Sequence, residues 1–138
     1  MGGGFHPISE EQYDKWMDNI IDQTGNSRRF IIMDPNEEAI GTIGLYEINW
    51  IHRTCEIGIF LGDSEARGKG YALDACWAIE EYAHNYLNLR KIKLYVVEEN
   101  ERALMMWNKL NYVKVGKYTK ERYINGHYCD LVIMEKFL

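Results

Sequence analysis

Arg67-Gly68-Lys69-Gly70-Tyr71-Ala72 stands between an alternating apolar stretch and a long amphipathic one, and its reading decides the fold. Two glycines in a short bend let consecutive backbone N–H groups turn toward one point. That point lies at the positive end of the helix that follows, which makes it a seat for phosphate. Upstream, Cys55, Ile57, Ile59 and Leu61 alternate with Glu56, Gly58 and Phe60, the pattern of a strand with one buried face. Downstream, Ala72, Cys76, Ile79, Ala83 and Tyr86 recur at spacings of four and three, one apolar stripe of a helix. Tyr71 stands where a Walker A loop needs lysine after its last glycine, and Leu73 stands where a dinucleotide fingerprint needs its third small residue. A short Arg-Gly-x-Gly-x-Ala bend remains.

A second motif follows in order. Lys91-Ile92-Lys93-Leu94-Tyr95-Val96-Val97 reads as a strand, Glu98-Glu99-Asn100 as a turn, and Glu101 to about Leu110 as a helix. Asn100 is placed to cap that helix, with Ala103, Trp107 and Leu110 on its apolar side. Carrying both motifs, the chain resembles the GNAT superfamily of acetyl-coenzyme A dependent N-acetyltransferases. From Ile48 to Met134 it is similar to the branch containing ribosomal-protein N-terminal, polyamine and sugar-nucleotide amine acetyltransferases. The family's Gln/Arg-x-x-Gly-x-Gly/Ala signature falls on Glu65-Ala66-Arg67-Gly68-Lys69-Gly70, and its Asn-x-x-Ala-x-x-x-Tyr-x-x-x-Gly-Phe run falls on Asn100 through Tyr112.

The resemblance implies an α/β (α+β) fold, a mostly antiparallel twisted sheet with helices on both faces. It also implies acetyl-CoA as cosubstrate and a primary amine as acceptor, either a small molecule or a protein N-terminus. The cofactor's pyrophosphate is expected on the backbone amides of Arg67, Gly68, Lys69, Gly70, Tyr71 and Ala72, with the Arg67 and Lys69 side chains nearby. Its pantetheine arm, whose amides are spaced like a peptide's, is expected along the edge of Ile59, Phe60 and Leu61. Asn100 is expected beside that arm or as a plain helix cap. Glu56 is the candidate general base that deprotonates the amine.

Three positions depart from the family. Trp107 replaces the tyrosine that usually protonates the departing thiolate, and an indole N–H donates a hydrogen bond but is no acid near neutral pH. Tyr118, Tyr123 and Tyr128 are the candidate replacements. Glu65 brings negative charge toward the phosphates, and Asn111 replaces a glycine after the second helix, which is mild because asparagine tolerates the left-handed conformation. These departures motivate two alternatives: a catalytically weak CoA-binding module, or a non-enzymatic domain that reuses the fold to bind a partner.

The 138 residues suit one domain, 1–138, with residues 1–7 and their triple glycine expected to be flexible or added. The opening strand and helix usual in the family are expected to be missing ahead of Ile8. An uncovered apolar face or edge there would favour self-association, so a homodimer is expected. The formal net charge of −5 argues against a nucleic-acid surface and suits a cationic amine. Cys55, Cys76 and Cys129 are odd in number and flanked by apolar residues, as free thiols in a reducing compartment would be. His6, His52, His84 and His127 have no Cys or His at zinc-ligand spacing, so no metal site is expected. There is no apolar run of membrane-spanning length and no signal-peptide core, so a cytoplasmic protein is expected.

A helix is predicted from Ser9, with Gln12 in its capping box and Trp16, Ile20 and Ile21 on its apolar side, as far as Gly25. Phe30–Met33 and Ala39–Leu45 are predicted to pair around the Asp34-Pro35-Asn36 turn. Tyr112–Gly116 and Tyr128–Met134 flank a predicted polar loop, with Asn125-Gly126 marking a tight primed turn.

Overall fold

The computed structural model describes the backbone of residues 20–22 and residues 25–62 and 70–138 in full. The predicted helix start at Ser9 lies outside them, as do Arg67, Gly68 and Lys69.

Among the described residues, seven strands form one sheet: β1 (Ile20–Asp22), β2 (Arg28–Met33), β3 (Ala39–Asn49), β4 (Thr54–Leu61), β5 (Lys91–Val97), β6 (Val113–Ile124) and β7 (His127–Phe137). Their spatial order is β1-β2-β3-β4-β5-β7-β6. All neighbours are antiparallel except β4 and β5. That one parallel pair requires a crossover, supplied by helix α1 (Tyr71–Asn85). A second helix, α2 (Glu101–Lys109), links β5 to β6.

Strand register sorts the side chains onto two faces. On one face, Phe30 of β2, Ile43 and Leu45 of β3, Cys55 and Ile57 of β4, Ile92, Leu94 and Val96 of β5, and Val132 and Met134 of β7 are buried. Helix α1 covers them with Ala75, Cys76, Ile79, Tyr82 and Ala83; Tyr82 meets Phe30 edge-on at 5.1 Å. Helix α2 adds Trp107, edge-on to Tyr112 at 5.1 Å. All three cysteines are free and buried, as expected, and burial pushes the Cys55 thiol up to about 12.

Beneath α1 the core carries one ion pair. Glu80, fully buried, receives a 2.7 Å hydrogen bond from Lys136 Nζ of β7. The same ammonium lies 5.7 Å from the Tyr112 ring. Glu80 Oε2 and the Tyr112 hydroxyl close no full hydrogen bond there. Burial raises the Glu80 carboxyl above its ordinary value, against the lowering pull of Lys136.

Two sequence expectations need correction. Ile20–Asp22, predicted as the end of a helix, is a strand paired with Phe30 and Arg29 of β2. Adjacent β-branched residues beside an unpaired strand edge gain more from the ladder than from another helical turn. The polar loop predicted after Gly116 is instead the continuation of β6 to Ile124. Its polarity reflects exposure of an edge strand, not lack of structure. An irregularity between Tyr118 and Arg122, with Lys120 at φ 51°, is held by Asp130, whose carboxylate accepts from the Lys120 amide at 2.8 Å and pairs with Lys117 at 3.1 Å. The primed turn is as predicted, with Asn125 and Gly126 at φ 50° and 86°.

Candidate active site

The parallel seam between β4 and β5 is short. Thr54, Cys55 and Glu56 pair with Lys91, Ile92 and Lys93, and there the ladder stops although both strands continue, to Leu61 and Val97. The paired end is locked by the adjoining turns. Arg53 donates to the Asn88 carbonyl and side chain at 2.7 and 3.0 Å, and Arg90 donates through its amide to Arg53 and through Nε to His52. Beyond Glu56 the two edges diverge, so the backbone groups of Ile59, Phe60 and Leu61 have partners in β3 and an open edge toward β5. An open edge is what an extended, amide-bearing ligand can add to.

Helix α1 is the crossover that follows β4. Its first backbone bond runs from the Asp74 amide to the Gly70 carbonyl at 3.0 Å, and Gly70 offers no side-chain cap, so the amides of Tyr71, Ala72 and Leu73 precede the helical ladder. Gly70 sits at φ 82° with nothing within 4 Å of where a Cβ would be. Its requirement is conformational, not steric. Gly70→Val, which strains the left-handed backbone by about 1–2 kcal/mol or more, should raise the KM for acetyl-CoA about tenfold with kcat nearly unchanged. Gly70→Asn, tolerant of that conformation, should stay close to the parent in steady-state kinetics; equal damage by both substitutions would refute a conformational role.

Glu56 lies on the face away from the helices, half-buried at the point where the seam opens. Lys93 is its register partner on β5 and Tyr46 its partner on β3. The Tyr46 ring lies across the facing glycines Gly44 and Gly58: a Cβ on Gly44 would stand 2.5 Å from the Tyr46 hydroxyl, and one on Gly58 3.2 Å from its ring. Two residues beyond Lys93 on the same face of β5, Tyr95 stacks its ring on Tyr118 at 6.4 Å. Burial, and then Glu56, raise the Tyr95 hydroxyl above its ordinary value.

Of the residues singled out in the sequence, Glu56, Ile59, Phe60 and Leu61 lie on β4 at and beyond the end of the seam, and Gly70, Tyr71 and Ala72 form the start of α1. The Asn100 side chain accepts from the Ala103 amide at 3.1 Å, so it caps α2. Trp107 is buried against Tyr112. Among the three tyrosines considered as replacements, Tyr118 joins the Glu56 neighbourhood through Tyr95, while Tyr123 and Tyr128 meet each other at the hairpin end, 5.0 Å apart. Sequence patterns do not single out Tyr95 or Tyr46. The signal for Tyr95 was its place two residues past the partner of Glu56, which only the register reveals.

The acetyltransferase (GNAT) domain family matches residues 2–113. The chain belongs to the GNAT acetyltransferase family. It is 35% identical over 133 residues to the spermidine N(1)-acetyltransferase of Vibrio cholerae, spanning 94% of this chain and 73% of that one. It is 38% identical over 122 residues to the Escherichia coli K12 spermidine N(1)-acetyltransferase, 88% of this chain and 62% of that protein's length. The Vibrio enzyme solved in complex with CoA and spermine superposes with a TM-score of 0.77 at 36% identity, over 93% of this chain and 72% of that one; the same enzyme has been solved as a dodecamer. The GNAT chemistry of this chain is transfer of an acetyl group from acetyl-CoA to a primary amine. No helix among the described residues is long and apolar enough to cross a membrane.

Proposed function

We propose that this chain acetylates a primary amino group of a short aliphatic polyamine. The observation that carries the site assignment is the early end of the β4–β5 ladder, which leaves an extended slot beside a carboxylate. In this reading the pantetheine arm runs along Ile59, Phe60 and Leu61, and the pyrophosphate meets the amides from Arg67 to Ala72. Asn100 caps α2 beside the arm. Glu56 takes a proton from the ammonium as the amine nitrogen attacks the thioester carbon. The C–S bond then breaks, and the thiolate takes up a proton from solvent or from the Tyr95–Tyr118 pair.

A polyamine is favoured over a protein N-terminus by the two spermidine acetyltransferase relatives and by the chemistry of the open face. Glu56 lies among Tyr46, Tyr95 and Tyr118, groups that attract an aliphatic cation. The net charge of −5 suits the same acceptor. Self-association accompanies this reading. β6 is a twelve-residue edge strand that exposes Val113, Val115, Tyr118 and Tyr123, and light scattering tests whether it is covered by a second copy. The cytoplasm is the compartment that keeps three free thiols reduced.

Calorimetry with acetyl-CoA, followed by thiol release against spermidine, spermine and peptide N-termini, tests the proposal. Thiol release with the polyamines supports it, and release with peptides alone overturns the acceptor. Binding without release selects a CoA-binding module, the reading that the buried Trp107 favours because no tyrosine occupies its position.

A further inference from the structure

Away from the acetyl-transfer site, the turn entering α2 and the start of β7 bring together three side chains that this chemistry does not use. Glu99 precedes the α2 cap; His127 and Cys129, two apart on β7, share one face of that strand. One donor atom from each of Glu99, His127 and Cys129 lies within 4.8 Å of the others. His127 Nε2 stands 3.0 Å from Glu99 Oε2. Cys129 is 3% exposed at the floor of the group, whereas the His127 and Glu99 side chains are 53% and 60% exposed at its rim.

We propose that Glu99, His127 and Cys129 bind a divalent transition-metal ion of zinc's class. Thiolate, imidazole and carboxylate are the three donors such an ion selects, and one thiolate with one carboxylate neutralises its charge. Tetrahedral zinc, with bonds of about 2.0–2.3 Å, holds its ligand atoms roughly 3.3–3.8 Å apart, so the Glu99–His127 pair at 3.0 Å opens by a few tenths of an ångström while the exposed side chains close on Cys129 by at most about one. Three protein ligands leave the fourth position open to water on the exposed side. The bound ion ties the end of the β6–β7 hairpin to the turn that starts α2. The bland alternative is a surface ion pair between Glu99 and His127 above a buried thiol that packs as a small apolar group, and it predicts no zinc binding.

The test uses the full chain, freed of metal by chelator and titrated with zinc chloride in a calorimeter and with cobalt(II) chloride in a spectrophotometer. One ion per chain is expected, with a thiolate-to-cobalt charge-transfer band and a zinc-dependent rise in Tm of several degrees. Cys129→Ser should abolish the band, and His127→Ala should weaken zinc binding about tenfold or more. His127 is exposed, so its variant keeps the proposal testable if Cys129→Ser fails to fold by circular dichroism. Equal zinc affinity in the parent and His127→Ala, or a cobalt complex without a thiolate band, overturns the site.

Discussion

Glu56→Gln is expected to lower kcat by a factor of about 10² to 10⁴ while leaving acetyl-CoA binding close to that of the parent. The carboxylate sits where the β4–β5 ladder ends, so its removal would touch the proposed point of proton transfer and not the slot along Ile59–Leu61. Glutamine keeps the size of the side chain but cannot accept a proton. The acid limb of the pH–rate profile should therefore flatten in the variant. Calorimetry with CoA and a pH series of kcat/KM separate the two effects. An unchanged acid limb, or loss of CoA affinity in step with kcat, would remove Glu56 from the role of base.

Lys136→Ala is the substitution expected to cost the most stability, about 3–5 kcal/mol. It leaves Glu80 fully buried without its 2.7 Å partner, under a helix that supplies much of the core. Replacing both members, as Glu80→Leu with Lys136→Met, should recover most of that loss, because two desolvated charges are exchanged for apolar groups of similar volume. The pH dependence has a definite sign. Burial lifts the Glu80 carboxyl in the folded state, so its contribution to stability is fully present below the unfolded-chain value and is lost as pH rises through the folded one. The double variant should therefore gain on the parent as pH increases upward from about 4.5. Urea melts at several pH values measure this, and a double variant as unstable as Lys136→Ala would contradict it.

Much of this architecture is legible in the sequence because local patterns agreed with it. The alternation of Cys55 to Leu61, the apolar stripe after Gly70, the Asn100 cap and the Asn125-Gly126 turn each predict an element by a local physical rule, and each is present. Ile20–Asp22 and Lys117–Tyr123 were misread for a shared reason: their strand state comes from a partner distant in sequence, which no local periodicity encodes. The site divides the same way. Glu56 and the edge of Ile59–Leu61 follow from strand alternation together with the family likeness. Tyr95 beside Glu56, and Cys129 beside Glu99, depend on register across strands and appear only once the ladder is known.

The locked turns at one end of the β4–β5 seam and its bare edges at the other make the sheet a pair of leaves joined at a spine. β1 to β4 form one leaf and β5 to β7 the other, with Arg53 and Arg90 as the binding. In the binding mode proposed above, a cofactor lodged between them would act as a strut, completing main-chain pairing that the polypeptide leaves undone. Deuterium uptake at the inner margins, Ile57 to Leu61 and Leu94 to Val97, should then slow when CoA is present, while the spine at Thr54 to Glu56 stays as protected as before.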